Sequence, residues 1–292
     1  MLKRSFLVFS ILAVNYCHAQ GYEQEIKKAE TAYGKKQLDS CIVYFNNAFL
    51  LGKPKGTDLY NAAVCNSLNG NFKQAFELLE KGIETGINVS KLKIDPDLDP
   101  LHQQRAWKKL VKKATKAQHK EFKKTRFPED AKRLAELWEQ DQYYRFRLGA
   151  AYEKNDTVKA NQIWKKLKPV DSVNLKLLEA IMDRIGWPTT SKVGKRGAST
   201  AFLIIDHAPR EIMEKYFPLL EDAAKKGEAS LPDYATMQDR ILTNRGKKQI
   251  YGTQKYWNEK ENKFVFFPIE DEKNVNARRK EVGLEPLPEF MH

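Results

Sequence analysis

The chain has 292 residues, of which 41% are hydrophobic, with a formal net charge of +13. That is enough length and apolar content for two cored domains, and it excludes an intrinsically disordered chain. The excess charge is uneven, which excludes a uniform polycation.

The first residues place Lys3 and Arg4 before an apolar run from Phe6 to Val14, then Cys17-His18-Ala19 ahead of Gln20. This is the layout of a cleavable signal peptide, and the run is too short for a stable helix across about 30 Å of hydrocarbon. Residues 1–19 are therefore read as a signal peptide cut near Ala19. No later segment is longer or more apolar, so no transmembrane segment is expected and the mature protein is expected in the periplasm or secreted. Lipid attachment at Cys17 is the competing reading, and Val14-Asn15-Tyr16 makes a poor small-residue lipobox for it. After cleavage Cys41 and Cys65 remain. An oxidising compartment permits a bridge, but both fall on apolar faces of predicted helices, and two packed thiols are the favoured expectation.

Residues 22–86 match themselves at a shift of about 34 residues, the tetratricopeptide period. Leu38 falls on Phe72, Cys41 on Ala75, Ile42 on Phe76, Tyr44 on Leu78, Phe45 on Leu79 and Ala48 on Gly82. Small residues recur where helices must approach, and large ones where a knob fills a groove. The segment resembles a pair of tetratricopeptide hairpins, more closely in its second copy. Such repeats bury their faces by stacking, so two of them need a cap. Asp95-Pro96-Asp97-Leu98-Asp99-Pro100 breaks the chain, Asp99 and Pro100 suit an N-cap and first helical position, and a helix is expected from Leu101 to about Lys124. The resemblance implies either a protein-binding scaffold or a purely structural prefix.

That capping helix is strongly basic. Lys108, Lys109, Lys112, Lys113, Lys116, Lys120, Lys123 and Lys124 face Glu121 as the only acid, while Trp107, Leu110, Val111, Ala114 and Ala117 recur on the opposite side. A solvated helix face is the favoured reading, with an anionic surface as the alternative. Nucleic acid is disfavoured, because only Phe122 offers a stacking aromatic.

A second domain is expected over 128–292. Helices are predicted over Ala131–Leu148, Val158–Leu167, Val173–Ile185, Phe202–His207, Ile212–Lys226, Asp233–Thr243 and Val275–Val282, with stops at Gly186-Trp187-Pro188, Gly227 and Gly283. Gln249–Trp257 and Lys263–Ile269 read as a hairpin. The expected fold is thus mainly α: a two-hairpin tetratricopeptide-like array with its cap over 22–127, then a helical domain with a small β-hairpin.

Several strings in this domain stand in a distinctive order: Asp141-Gln142 with Arg145, Asp171 with Asn174, Gly186-Trp187-Pro188, Val193-Gly194, His207-Ala208, and Leu219-Leu220 with Gly227-Glu228-Ala229. Asp239-Arg240, Gln249 with Tyr251-Gly252-Thr253-Gln254, Pro268-Ile269-Glu270-Asp271, Arg278-Arg279 and Val282-Gly283-Leu284 follow. Across about Leu134–Phe290 the chain resembles the bacterial family called domain of unknown function 6624. The family usually has glutamine before the histidine, where this chain has Asp206. The resemblance implies no reaction.

His207 is the only non-terminal histidine of the domain, so acid–base chemistry near neutral pH would rest on it, oriented by Asp141 or Asp239. Thr253 is a candidate nucleophile without a framing elbow. Arg145 and Arg240 can clamp an anionic group, with Gln142, Asn174, Gln249, Tyr251, Thr253 and Gln254 as further ligand contacts. Each has a structural counterpart: Asp141 and Arg145 suit a helix ion pair, Asn174 after Asp171 suits capping, and His207 suits a core imidazole. No metal site is expected from the scattered histidines, and no cofactor. The expected function is an exported repeat scaffold joined to a domain binding a partner or a small polar or anionic ligand. The alternative is an envelope enzyme, a hydrolase using His207 with Asp141 or Asp239.

Overall fold

The computed structural model describes residues 20–287, so residues 1–19, where a signal peptide is expected, and residues 288–292, His292 among them, lie outside the described residues. The protein is mainly α-helical with one two-stranded antiparallel sheet. It divides into two compact units between Lys120 and Glu121.

The first unit is a succession of short antiparallel helices: α1 (20–34), α2 (Leu38–Leu51), α3 (Gly56–Leu68) and α4 (Phe72–Glu84). The positions about 34 residues apart are buried in both copies, Cys41 with Ala75, Phe45 with Leu79 and Ala48 with Gly82. Gly82 sits where a Cβ would come within 2.9 Å of Ile87 Cγ2, so the close approach there needs glycine. α5 (Val89–Ile94) is capped by the Asn88 side chain, which accepts from the amides of Ser90 and Lys91. A 3-10 turn (Pro96–Leu98) and the single-turn α6 (Asp99–His102) follow, and α7 (Arg105–Phe122) carries the basic run. The predicted Leu101–Lys124 helix is thus broken after His102. Leu92, Leu98, Leu101, Leu110 and Ala114 close the core.

Cys41 and Cys65 form a disulfide, with their Cα atoms 6.4 Å apart. This corrects the expectation of two packed thiols. Both cysteines are on apolar faces as expected, but α2 and α3 pack those faces together within bridging distance, a register that periodicity does not specify.

The second unit begins with α8 (Pro128–Glu153) and α9 (Thr157–Ile185), a long antiparallel pair. Two helices were predicted where α9 runs unbroken through Pro169. Proline holds a helical φ and removes one hydrogen bond, and Ile163 and Leu167 before it and Leu178 and Ile181 after it are buried along the one helix. Gly186 ends α9 at φ 67°. α10 (Thr190–Asp206) starts far earlier than the predicted Phe202 and bends at Gly194, whose φ of 76° is outside the helical region. Its polar first half hid it, although Gly197, Ala198 and Ala201 are buried. α11 (Arg210–Lys225) and α12 (Leu231–Asn244) complete the bundle, the latter capped by Ser230, whose hydroxyl accepts from the Asp233 amide.

β1 (Lys255–Asn258) pairs with β2 (Lys263–Phe266), Lys255 opposite Phe266 and Asn258 opposite Lys263. The predicted strands were longer; beyond this ladder, among the described residues, only an isolated parallel bridge joins Gln249 to Ile269. α13 (Val275–Glu281) follows a 3-10 turn (Glu272–Asn274). Among the described residues no helix is long and apolar enough to cross a membrane.

Candidate functional site

A layer of charged side chains interrupts the apolar core of the second unit. On α8, Leu134, Leu137, Asp141, Arg145 and Leu148 succeed one another at three- and four-residue steps, so one helix face passes from apolar to charged. α9 contributes Asp171 and Asn174 between Leu167 and Leu178. α10 ends at Asp206, with His207 as its C-cap, and α12 brings Arg240.

These groups meet. Asp141, nearly fully buried, accepts at Oδ1 from Arg145 Nη1 (3.0 Å) and lies 3.1 Å from His207 Nδ1; its Oδ2 accepts from Gln142 Nε2 at 2.7 Å. Arg145 Nη1 also donates to the Asp141 carbonyl at 2.7 Å, and Nη2 reaches both carboxylate oxygens of Asp171, at 2.9 and 3.0 Å. The helix-face pair foreseen from the i, i+4 spacing therefore exists, and it also ties α8 to α9. Burial pushes the Asp171 carboxyl up, with the Arg145 guanidinium opposing. Burial likewise raises Asp206, opposed first by Arg240 and then by His207 and Arg145. Arg240 Nε stands 3.0 Å from Asp206 Oδ1, yet neither atom has a directed hydrogen bond, so charge rather than alignment holds this pair. Arg145, Asp141 and His207 act on both Asp171 and Asp206, and Arg240 acts on Asp206, which links Asp141, Arg145, Asp171, Asp206, His207 and Arg240 into one cluster.

Two groups in this region have unused capacity. His207 Nε2 has no hydrogen-bond partner among the described residues, with the side chain 19% exposed. Asn174 is fully buried, and neither its Oδ1 nor its Nδ2 is partnered among the described residues. It lies inside α9, so the capping role foreseen for it does not apply. A buried amide left unpaired costs on the order of 1–3 kcal/mol, which marks the position as unusual.

The remaining candidates form a different network. Asp239, an expected partner of His207, is instead fully buried beneath the loop after α12. Its Oδ1 accepts from the amides of Ile250 (2.7 Å) and Tyr251 (3.1 Å), and its Oδ2 from the Tyr251 amide (3.1 Å), the Thr253 amide (3.0 Å) and the Thr253 hydroxyl (2.9 Å). The carboxylate beside His207 is that of Asp141, which reaches it from α8, whereas the Asp239 carboxylate is taken up by the loop. The Thr253 hydroxyl is engaged in this same network as a donor to Asp239 and has no hydrogen bond to His207. Gln249 is also saturated: its Nε2 donates to the carbonyls of Gln254 and Phe267, and its Oε1 accepts from the Gln254 amide. Gln254 Nε2 donates to Thr253 Oγ1 and the Thr236 carbonyl. Burial, reinforced by Tyr234, pushes the Tyr251 phenol up to about 12. Arg278 and Arg279 bind the same loop from α13 through the carbonyls of Ile250 and Tyr251. The Gly252 φ of 68° and the 2.8 Å that would separate its Cβ from Leu287 explain a glycine in this turn.

Sequence reasoning missed Asp171 and Asp206 as the counter-charges of Arg145 and Arg240. The signals were the place of Asp171, with Asn174, among the ordered polar strings and, for Asp206, an acid standing where the resembled family has glutamine beside the histidine. Among the described residues no group of three or more histidine, cysteine, aspartate or glutamate side chains is placed to hold a metal ion. Neither a curated protein nor a solved structure matches the chain. One family model does match, over residues 128–292 and so more than half of the chain, and the protein belongs to that family, the Family of unknown function (DUF6624).

Proposed function

We propose that this is an exported protein in which two tetratricopeptide-like hairpins present a partner-binding scaffold, joined to a family domain that binds a small polar ligand beside His207. Export is supported by the leader-like first residues and by the Cys41–Cys65 bridge, since disulfides persist mainly outside the cytoplasm. The repeat reading is supported by the buried positions shared between the α2 and α4 helices.

The observation that carries the ligand reading is the convergence of Asp141, Arg145, Asp171, Asp206, His207 and Arg240 from four helices around an imidazole with one open nitrogen. The charges refine it. Arg145 is occupied by two carboxylates, and three carboxylates face two guanidinium groups, so a neutral polar or cationic ligand fits better than an anion. The test is a thermal-stability screen of the full chain against small metabolites and cell-wall fragments, repeated with His207→Gln and Arg240→Gln. A ligand raises the melting temperature by mass action. The shift is expected to vanish in His207→Gln without loss of the unliganded fold. A shift retained in both variants places the ligand elsewhere.

One observation favours a second reading, an envelope hydrolase. Asp141 holds His207 through Nδ1, which is how a carboxylate orients a general base and leaves Nε2 to take a proton. With Thr253 engaged by Asp239, the nucleophile would be water. Hydrolysis of an ester or amide panel that persists in His207→Gln removes this reading.

A further inference from the structure

The basic helix of the first unit is not absorbed by any of these roles. α7 turns Trp107, Leu110, Val111, Ala114 and Ala117 onto the apolar core, leaving its other side exposed. At about 100° per residue, Arg105, Lys108, Lys109, Lys112, Lys116 and Lys120 all fall within an arc of roughly 120°, extending about 22 Å along the axis. All six are exposed, and none makes an ion pair among the described residues. Lys113, on the edge of this arc, is the one that does find acids, Glu80 at 3.7 Å and Glu84 at 3.5 Å. Lys108, Lys112, Lys116 and Lys120 follow one another at i, i+4, where like charges repel along the helix. The stripe is thus a coherent, uncompensated field on a convex, straight face.

We propose that this stripe docks the protein onto an anionic lipid bilayer by contact with headgroup phosphates. A convex face meets a plane rather than enclosing a peptide, and five of the six cations are lysines, point charges that need no particular headgroup geometry. Because the apolar side of α7 is buried in the core, docking is by charge alone, without insertion. Nucleic acid fits less well. The arc holds no asparagine or glutamine to read base edges, and Trp107 packs against the core rather than standing among the cations as a stacking platform.

The test is co-sedimentation of the full chain with phosphatidylglycerol–phosphatidylcholine vesicles. Wild type is compared with Lys108→Gln/Lys112→Gln/Lys116→Gln/Lys120→Gln and with the same four positions changed to arginine. Each cation near such a surface contributes about fivefold in binding, so the glutamine variant should bind at least about a hundredfold more weakly, and the arginine variant as wild type. Wild-type binding should fade steeply with added salt. Circular dichroism and melting of each variant show that the fold is kept; the four positions are solvent-exposed. Equal binding by wild type and the glutamine variant overturns the proposal, as does salt-insensitive binding. Tighter binding to a DNA duplex than to the vesicles, lost in the glutamine variant, reassigns the stripe to nucleic acid and overturns it equally.

Discussion

Asp239→Asn tests whether the second polar network is an anchor rather than part of a catalytic set. The carboxylate is fully buried and accepts from three amides and one hydroxyl, all from residues 250–253. Asparagine retains one acceptor oxygen, which can still serve Ile250 and Tyr251, but turns an amino group toward the Thr253 amide. One buried N–H then loses its partner at about 1–3 kcal/mol, and the surviving bonds lose their charge assistance at about 1 kcal/mol each. The expected loss is about 3–5 kcal/mol, a large share of a typical 5–15 kcal/mol stability. Thr253→Val removes only the hydroxyl bond and should cost about 1 kcal/mol. Urea denaturation gives the two losses, and hydrogen exchange at the Ile250, Tyr251 and Thr253 amides shows whether the loop itself is released. A loss below about 1 kcal/mol for Asp239→Asn, or unchanged protection of those amides, would refute the anchoring argument.

Two further perturbations address stability. The Cys41–Cys65 bridge spans a sequence separation of 24 residues, for which loop-closure entropy gives about 3–4 kcal/mol. Cys41→Ala/Cys65→Ala, or reduction of the wild type, should lower the unfolding free energy by that amount and shift the denaturation midpoint down accordingly, and an unchanged midpoint under reductant would show the link to be dispensable. Burial raises the Asp233 carboxyl from its ordinary range to about 6, against hydrogen bonds from Ser230 and Ser199. Because its folded-state value lies above the unfolded one, its stabilising contribution is complete below about pH 4 and is lost as pH rises through about 6. Asp233→Asn should match wild type near pH 4 and exceed it by on the order of 1–2 kcal/mol above pH 6, seen in denaturation at both pH values; an offset independent of pH would show that Asp233 is not the titrating group.

Local chemistry made much of the architecture legible before any tertiary contact was known. Gly186, Gly227 and Gly283 end or follow helices as their left-handed backbone requires, the spacing of Cys41, Phe45 and Ala48 against Ala75, Leu79 and Gly82 marks equivalent buried positions, and the order of polar motifs after Leu134 points to the family. His207 stands out because no other histidine lies in the interior of the second unit's sequence. Pairings are another matter. Periodicity says which face of a helix carries Asp141 or Asp239, but the partner of each depends on how helices cross and at what register. His207 finds a carboxylate 66 residues away, Arg145 one 26 residues away, and Cys41 a thiol 24 residues away. Only packing could choose Asp141 over Asp239, carry α9 through Pro169 and bring two cysteines within bonding distance, because each outcome is a balance of contacts between segments that say nothing of one another in the linear chain.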